Sequence, residues 1–169
     1  TDALMRHGQH GAEVLAGLMH SVFDPLVKSI FSYGGKIVSF AGDGVMALFP
    51  IQGDEKTTAL RALASSWMIQ RDLLREPERS TVYGTFPFSV KIGVTIGSVD
   101  WRILCSQDGS QATYYFRGSA VVESAEAEHQ ARAREIVLTQ GMYELLRDSI
   151  KTKPHGSFHR LTGFLGGAP

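Results

Sequence analysis

Residues 34–50 read Gly34-Gly35-Lys36-Ile37-Val38-Ser39-Phe40-Ala41-Gly42-Asp43-Gly44-Val45-Met46-Ala47-Leu48-Phe49-Pro50. Lys36 to Ala41 and Val45 to Phe49 have the length and composition of strands, and an Asp-Gly step between such runs is a strong hairpin signal. The expected turn relies on Gly44, because glycine tolerates positive φ. This arrangement sets the carboxylate of Asp43 at the tip of a tight turn. Most Asp-Gly turns do nothing beyond turning the chain, so the surrounding residues decide whether Asp43 has a further role.

Upstream, Val14, Leu15, Leu18, Met19, Val22, Phe23, Leu26, Val27, Ile30 and Phe31 recur at three- and four-residue steps. That spacing predicts one amphipathic helix, kinked at Pro25 and ending at Gly34-Gly35. Downstream, Leu60, Leu63, Ala64, Trp67 and Leu74 predict a second helix over 57–74, closed by the polar break Arg75-Glu76-Pro77-Glu78-Arg79. Strands are expected at 88–96, 99–105 and 112–117, a helix at 119–133, a strand at 136–139 and a short helix at 142–146. The tail from Lys151 carries no clear pattern. The order suggests an α+β sheet with helices packed against it.

The 169 residues are 43% hydrophobic and 20% charged, which suits one globular domain over 1–169. Lys plus Arg equals Asp plus Glu at 17 each, so no global field favours nucleic acid or an anionic membrane. Any polyanion has to bind locally. Cys105 is the single cysteine and excludes an intrachain disulfide. No uninterrupted apolar run approaches the ~20 residues that span a bilayer, and a reducing, cytoplasmic compartment is the simplest expectation.

Ser39-Phe40-Ala41-Gly42-Asp43 followed by Ala47-Leu48-Phe49-Pro50 resembles the metal-site hairpin of the class III nucleotidyl cyclases, written Lys-Phe-x-Gly-Asp with a downstream Ala-x-Phe-Pro. Gly11-Ala12-Glu13, Lys91-Ile92-Gly93-Val94 with Gly97, and Gly118-x-x-Val121 leading to Glu135-Ile136-Val137-Leu138 follow in the family's order. The Phe-Ala-Gly-Asp wording is similar to the soluble, bicarbonate-responsive adenylyl cyclases and their bacterial relatives. The resemblance implies a ferredoxin-like, palm-like fold with a mostly antiparallel central sheet. It also implies that the first strand, with its Asp-Ile-x-x-Phe-Thr motif, lies upstream of a chain that begins at or just past that motif's Thr, at Thr1.

The implied reaction moves the ribose 3′ oxygen of ATP (or GTP) onto the α-phosphorus and expels pyrophosphate, with two Mg²⁺ or Mn²⁺ ions on the phosphates. By resemblance Asp43 is a metal ligand, Gly42 and Gly44 let phosphate approach, and Lys91 contacts the polyphosphate. An outward-facing strand lysine is the competing reading of Lys91. Other positions depart from the active pattern. Ser39 and Tyr115 fall where adenylyl cyclases carry their purine-selecting Lys and Asp. Val122 and Glu126 replace the Asn that orients ribose and the Arg that stabilises the transition state. Valine has no side-chain donor, and glutamate repels a triphosphate.

These substitutions imply one half of an asymmetric pair, supplying metal and phosphate ligands to a second cyclase homology domain in cis or in trans. A homodimer would be incomplete at both sites. The alternative is a pseudocyclase that keeps the fold and serves as a regulatory or dimerisation module. The bicarbonate-binding cations of the soluble enzymes fall here on Ser39 and Ala125, so no bicarbonate response is expected through that site. His155 and His159 have metal-like spacing in a tail without helical pattern, which argues against zinc. Tyr114, Tyr115 and Phe116 alternate faces in a strand rather than forming a base-stacking platform. The Gly-Gly-Asp/Glu-Glu-Phe turn of diguanylate cyclases is not matched by Gly34-Gly35-Lys36.

Overall fold

A computed structural model describes residues 6 and 8–167, in which the chain divides into two compact units, Thr1–Val90 and Lys91–Pro169. Thr1 itself, read above as lying at or just past the Thr of the first-strand motif, lies outside the described residues.

In the first unit, helix α1 spans Gly8–Ser32 with Pro25 inside it. Its stripe of Leu18, Val22, Leu26 and Ile30 is buried, the i, i+4 repeat expected of an amphipathic helix. The helix ends where the paired glycines fall: Gly34 N–H donates to Phe31 C=O (3.0 Å) and Gly35 N–H to Ile30 C=O (2.9 Å), the two bonds of a Schellman cap. Strands β1 (Lys36–Ala41) and β2 (Gly44–Leu48) follow, then helix α2 (Glu55–Arg75), which packs against α1. Asp54 caps α2 by accepting from Thr57 N–H at 2.7 Å, and the Thr57 bonds hold its carboxyl below the ordinary range. Ser29 of α1 donates to the Ser65 carbonyl of α2 at 3.2 Å.

Helix α2 ends at the polar break as expected, but from Glu78 the chain enters a hairpin that the pattern does not show, β3 (Glu78–Thr81) with β4 (Gly84–Pro87). Phe88 belongs to it rather than to a following strand, because its N–H donates to Pro77 C=O at 2.8 Å. Polar side chains on β3 hide this hairpin from a hydrophobicity pattern, and the Thr81 hydroxyl closes it by donating to Gly84 C=O at 3.0 Å. By length and composition helix α1 could cross a membrane, a test that the core helix of a soluble protein passes as well. Its Asp24 and Lys28, one turn apart, pair at 2.7 Å.

The second unit runs β5 (Ile92–Val94), β6 (Asp100–Cys105), β7 (Ala112–Arg117), α3 (Ser119–Gln130), β8 (Ile136–Leu138), α4 (Gln140–Leu146), β9 (Ile150–His155) and β10 (Phe158–Phe164). Its four-stranded sheet has the order β5-β8-β10-β9, with β5 and β8 parallel and the other pairings antiparallel. Ile136, Val137 and Leu138 are all buried at its centre. The tail whose sequence carries no clear pattern supplies β9 and β10. Lysines, Thr152 and Pro154 dilute the apolar signal there, and the Gly156-Ser157 turn joins the strands. Among the described residues strands β6 and β7 pair only with each other and form a separate ribbon.

Candidate functional site

The β1–β2 hairpin has the expected strands, but the turn differs by one residue. Ala41 pairs with Gly44, so the two-residue loop is Gly42-Asp43, and positive φ falls on Gly42 (62°) rather than Gly44. Positive φ at the first of two loop residues is the requirement of a type II′ turn. Asp43 takes the second position, where an ordinary L residue fits. Its side chain is exposed and has no hydrogen bond or ion pair among the described residues. Ser39 lies on β1, half-buried and paired with Met46, one residue after the register shift between Ile37 and Ser39.

The remaining sequence candidates lie in the second unit. Lys91 precedes β5, and its Nζ sits 3.0 Å from Glu128 Oε1 on α3. Tyr115 on β7 pairs with Arg102 on β6. Val122 and Glu126, four residues apart on α3, share an exposed helix face. Helix α3 lies nearly backbone to backbone on β5: a Cβ at Gly93 would stand 2.2 Å from Glu128 N and 2.3 Å from Ser124 O. At Gly118, where α3 begins, a Cβ would stand 2.4 Å from Ser98 O. Gly93 thus lets helix and strand touch, and Gly118 lets the start of α3 approach the segment before β6.

Sequence reasoning missed the carboxylates that α3 sends to both ends of β5. Besides Glu128 on Lys91, Glu123 accepts from the Thr95 hydroxyl at 2.9 Å, and Thr95 meets the buried Thr139 hydroxyl at 3.0 Å. A helix of alternating acids and alanines reads as a solvated face until the helix is docked. Among the described residues no group of three or more His, Cys, Asp or Glu side chains could enclose a metal ion. Asp43 therefore offers one hard-oxygen ligand, a partial fit to a Mg²⁺ site that would be completed by substrate phosphates, waters and a further carboxylate.

Comparison with solved structures settles the architecture. The adenylyl cyclase CyaB from P. aeruginosa superposes with a TM-score of 0.71 at 20% identity, covering 89% of this chain and 83% of that chain. The guanylyl cyclase Cya2 superposes with a TM-score of 0.73 at 24% identity, covering 94% and 85%.

The chain has the class III nucleotidyl cyclase fold.

The guanylate cyclase domain of RhGC from Catenaria anguillulae, solved in complex with GTP, shares this cyclase fold with a TM-score of 0.72 at 14% identity, covering 96% of this chain and 91% of that one. Adenylate cyclase type 10 of Rattus norvegicus is 23% identical over 137 residues, and that of Homo sapiens 22% over 135 residues; each match covers 80% of this chain. The chain spans only 8% of the length of those relatives. No family model matches the chain. Structures with this cyclase fold thus include both adenylyl and guanylyl cyclases.

Proposed function

We propose that residues 1–169 form one cyclase homology domain, the metal- and phosphate-binding half of a paired adenylyl cyclase that makes cAMP and pyrophosphate from ATP in cytoplasmic signalling. The observation that carries this reading is Asp43: an exposed carboxylate with no partner among the described residues, at the tip of a Gly-Asp-Gly turn, in a chain with the cyclase fold. A turn needs no free carboxylate, so its position fits a ligand better than a structural role. ATP rather than GTP is favoured by the similarity to adenylate cyclase type 10.

In this reaction a bond forms between the ribose O3′ and the α-phosphorus. The bond from that phosphorus to the bridging oxygen breaks, pyrophosphate leaves with the electron pair, and the 3′ proton passes to solvent. Mg²⁺ or Mn²⁺, when bound, supplies Lewis-acid charge on the phosphates. Asp43 would hold the metal, and the small residues Gly42 and Gly44 would leave room for phosphate beside it. Lys91 would offset polyphosphate charge in the same reaction. Val122 and Glu126 can neither orient ribose nor stabilise its transition state, so a second cyclase domain would supply those groups.

The β6–β7 ribbon supports such an assembly. Trp101, Ile103 and Tyr114 lie on one side of it, with Phe116 opposite Trp101, and are 60%, 57% and 61% exposed. An exposed aromatic surface of this kind suits a protein interface. A second reading, a pseudocyclase acting only through such an interface, is favoured by the ion pair that already occupies Lys91.

The test is cyclic nucleotide production from the chain combined with a complementary cyclase half, supplied with Mn²⁺ and either ATP or GTP. Asp43→Ala is expected to lower the rate at least ~100-fold, the order of loss seen when metal sites are disturbed. Activity that survives this change would remove Asp43 from the metal site. Its absence under every condition, with the complementary half shown to bind, would favour the pseudocyclase.

A further inference from the structure

We infer that Glu128 is an internal competitor for Lys91, so that a polyphosphate must displace a carboxylate before Lys91 can serve it. The inference rests on the reading of Lys91 as a phosphate contact. It adds a residue that sets how tightly that contact binds.

The geometry makes this pair more than a chance meeting of two long side chains. Glu128 has its backbone pinned against β5, its N atom 2.2 Å and its Cα 2.8 Å from where a Cβ on Gly93 would stand. Lys91 lies two residues before Gly93. The Glu128 carboxylate is thus delivered to the strand entrance, where Oε1 meets Nζ at 3.0 Å. Glu123 at the other end of the strand is already engaged by Thr95, so the two carboxylates of α3 anchor different places on β5. Both partners of the ion pair are 43% exposed, which leaves Nζ open to an incoming ligand and leaves Glu128 hydrated once displaced.

The consequence is electrostatic. As paired, Lys91 and Glu128 cancel, and the chain's net charge of zero adds no compensating attraction for a polyanion. An arriving triphosphate must break the pair before Lys91 can serve it. Removing the charge at 128 lifts that penalty and leaves the lysine in place. A purely structural role for Glu128 predicts the opposite sign, because loosening α3 on β5 would weaken binding.

Calorimetric titration of the whole chain with sodium tripolyphosphate tests this. Lys91→Ala should weaken binding about tenfold, the order expected for a charged hydrogen bond. Glu128→Gln should tighten it about two- to fivefold, the range of an exposed ion pair. The double variant should match Lys91→Ala alone. If Lys91→Ala weakens binding but Glu128→Gln leaves it unchanged or weaker, the competitor role is wrong and the phosphate contact stands. If Lys91→Ala binds like the parent, or no variant binds, the phosphate reading falls and takes the inference with it. A gain from Glu128→Gln that persists in the Lys91→Ala background would also overturn competition at Lys91.

Discussion

Two exposed hairpin turns among the described residues carry an aspartate beside a glycine, and only one of them uses it internally. In the β6–β7 ribbon, Asp108 accepts from the Ser106 hydroxyl at 2.5 Å, from Ser110 N–H at 3.1 Å and from the Ser110 hydroxyl at 2.8 Å. Those bonds, the Ser106 bond foremost, lower its pKa to about 2. In the β1–β2 hairpin the turn closes through Gly42, and Asp43 accepts nothing within the described residues. The difference teaches how a structural turn aspartate is told from an available one. The first has its oxygens committed by neighbours within two residues, whereas the second has a backbone that forms without it.

Gly42→Ala places a Cβ at φ 62° with open space around it, so the cost is conformational, about 1–2 kcal/mol. Denaturant unfolding should register that loss, and an unchanged midpoint would mean that Gly42 is not what closes the turn. Acid titration sharpens the contrast. A carboxyl whose folded pKa lies below its unfolded value stabilises above the unfolded pKa, and that contribution is lost as pH falls through the folded pKa. For Asp108 the loss runs from the ordinary carboxylate range down to about 2. NMR titration should therefore find the Asp108 carboxyl titrating near 2, and Ser106→Ala should raise it. A value in the ordinary range in the parent chain would show that the serine bonds do not hold in solution.

The smallest expected effect comes from a third turn. Gly156-Ser157 joins β9 to β10 with φ 63° at its glycine, nearly the geometry of Gly42-Asp43. Ser157→Asp copies the carboxylate onto it. Stability should change by less than about 0.5 kcal/mol, and Mn²⁺ binding, followed by proton relaxation, should not increase. A new Mn²⁺ site there would mean that a glycine-aspartate turn is sufficient by itself, and the case for Asp43 would weaken.

These turns also show what can be read without a structure. The Gly156-Ser157 step is a hairpin signal as good as the one at Asp43, but its strands carry Lys151, Lys153, Pro154 and His155 and do not alternate as strongly as Ile37 to Leu48. The β3–β4 hairpin escapes for the same reason. Lys91 was legible as a candidate because a basic residue before Ile-Gly-Val matches the family pattern. Its partner Glu128 was not, because pairing across a helix and a strand depends on docking rather than spacing.

The sequence by itself determined the long amphipathic α1, the β1–β2 hairpin and the place of Asp43, since these follow from local periodicity and turn chemistry. It also supplied the order of the elements from α1 to α4 apart from the β3–β4 hairpin. The tertiary structure puts the positive φ on Gly42 rather than Gly44, makes the polar tail complete the four-stranded sheet, and at Gly93 brings α3 close enough to set Glu128 on Lys91. Such outcomes depend on which backbones come into contact, and contact between distant segments is set by the packing of the whole unit rather than by neighbouring residues.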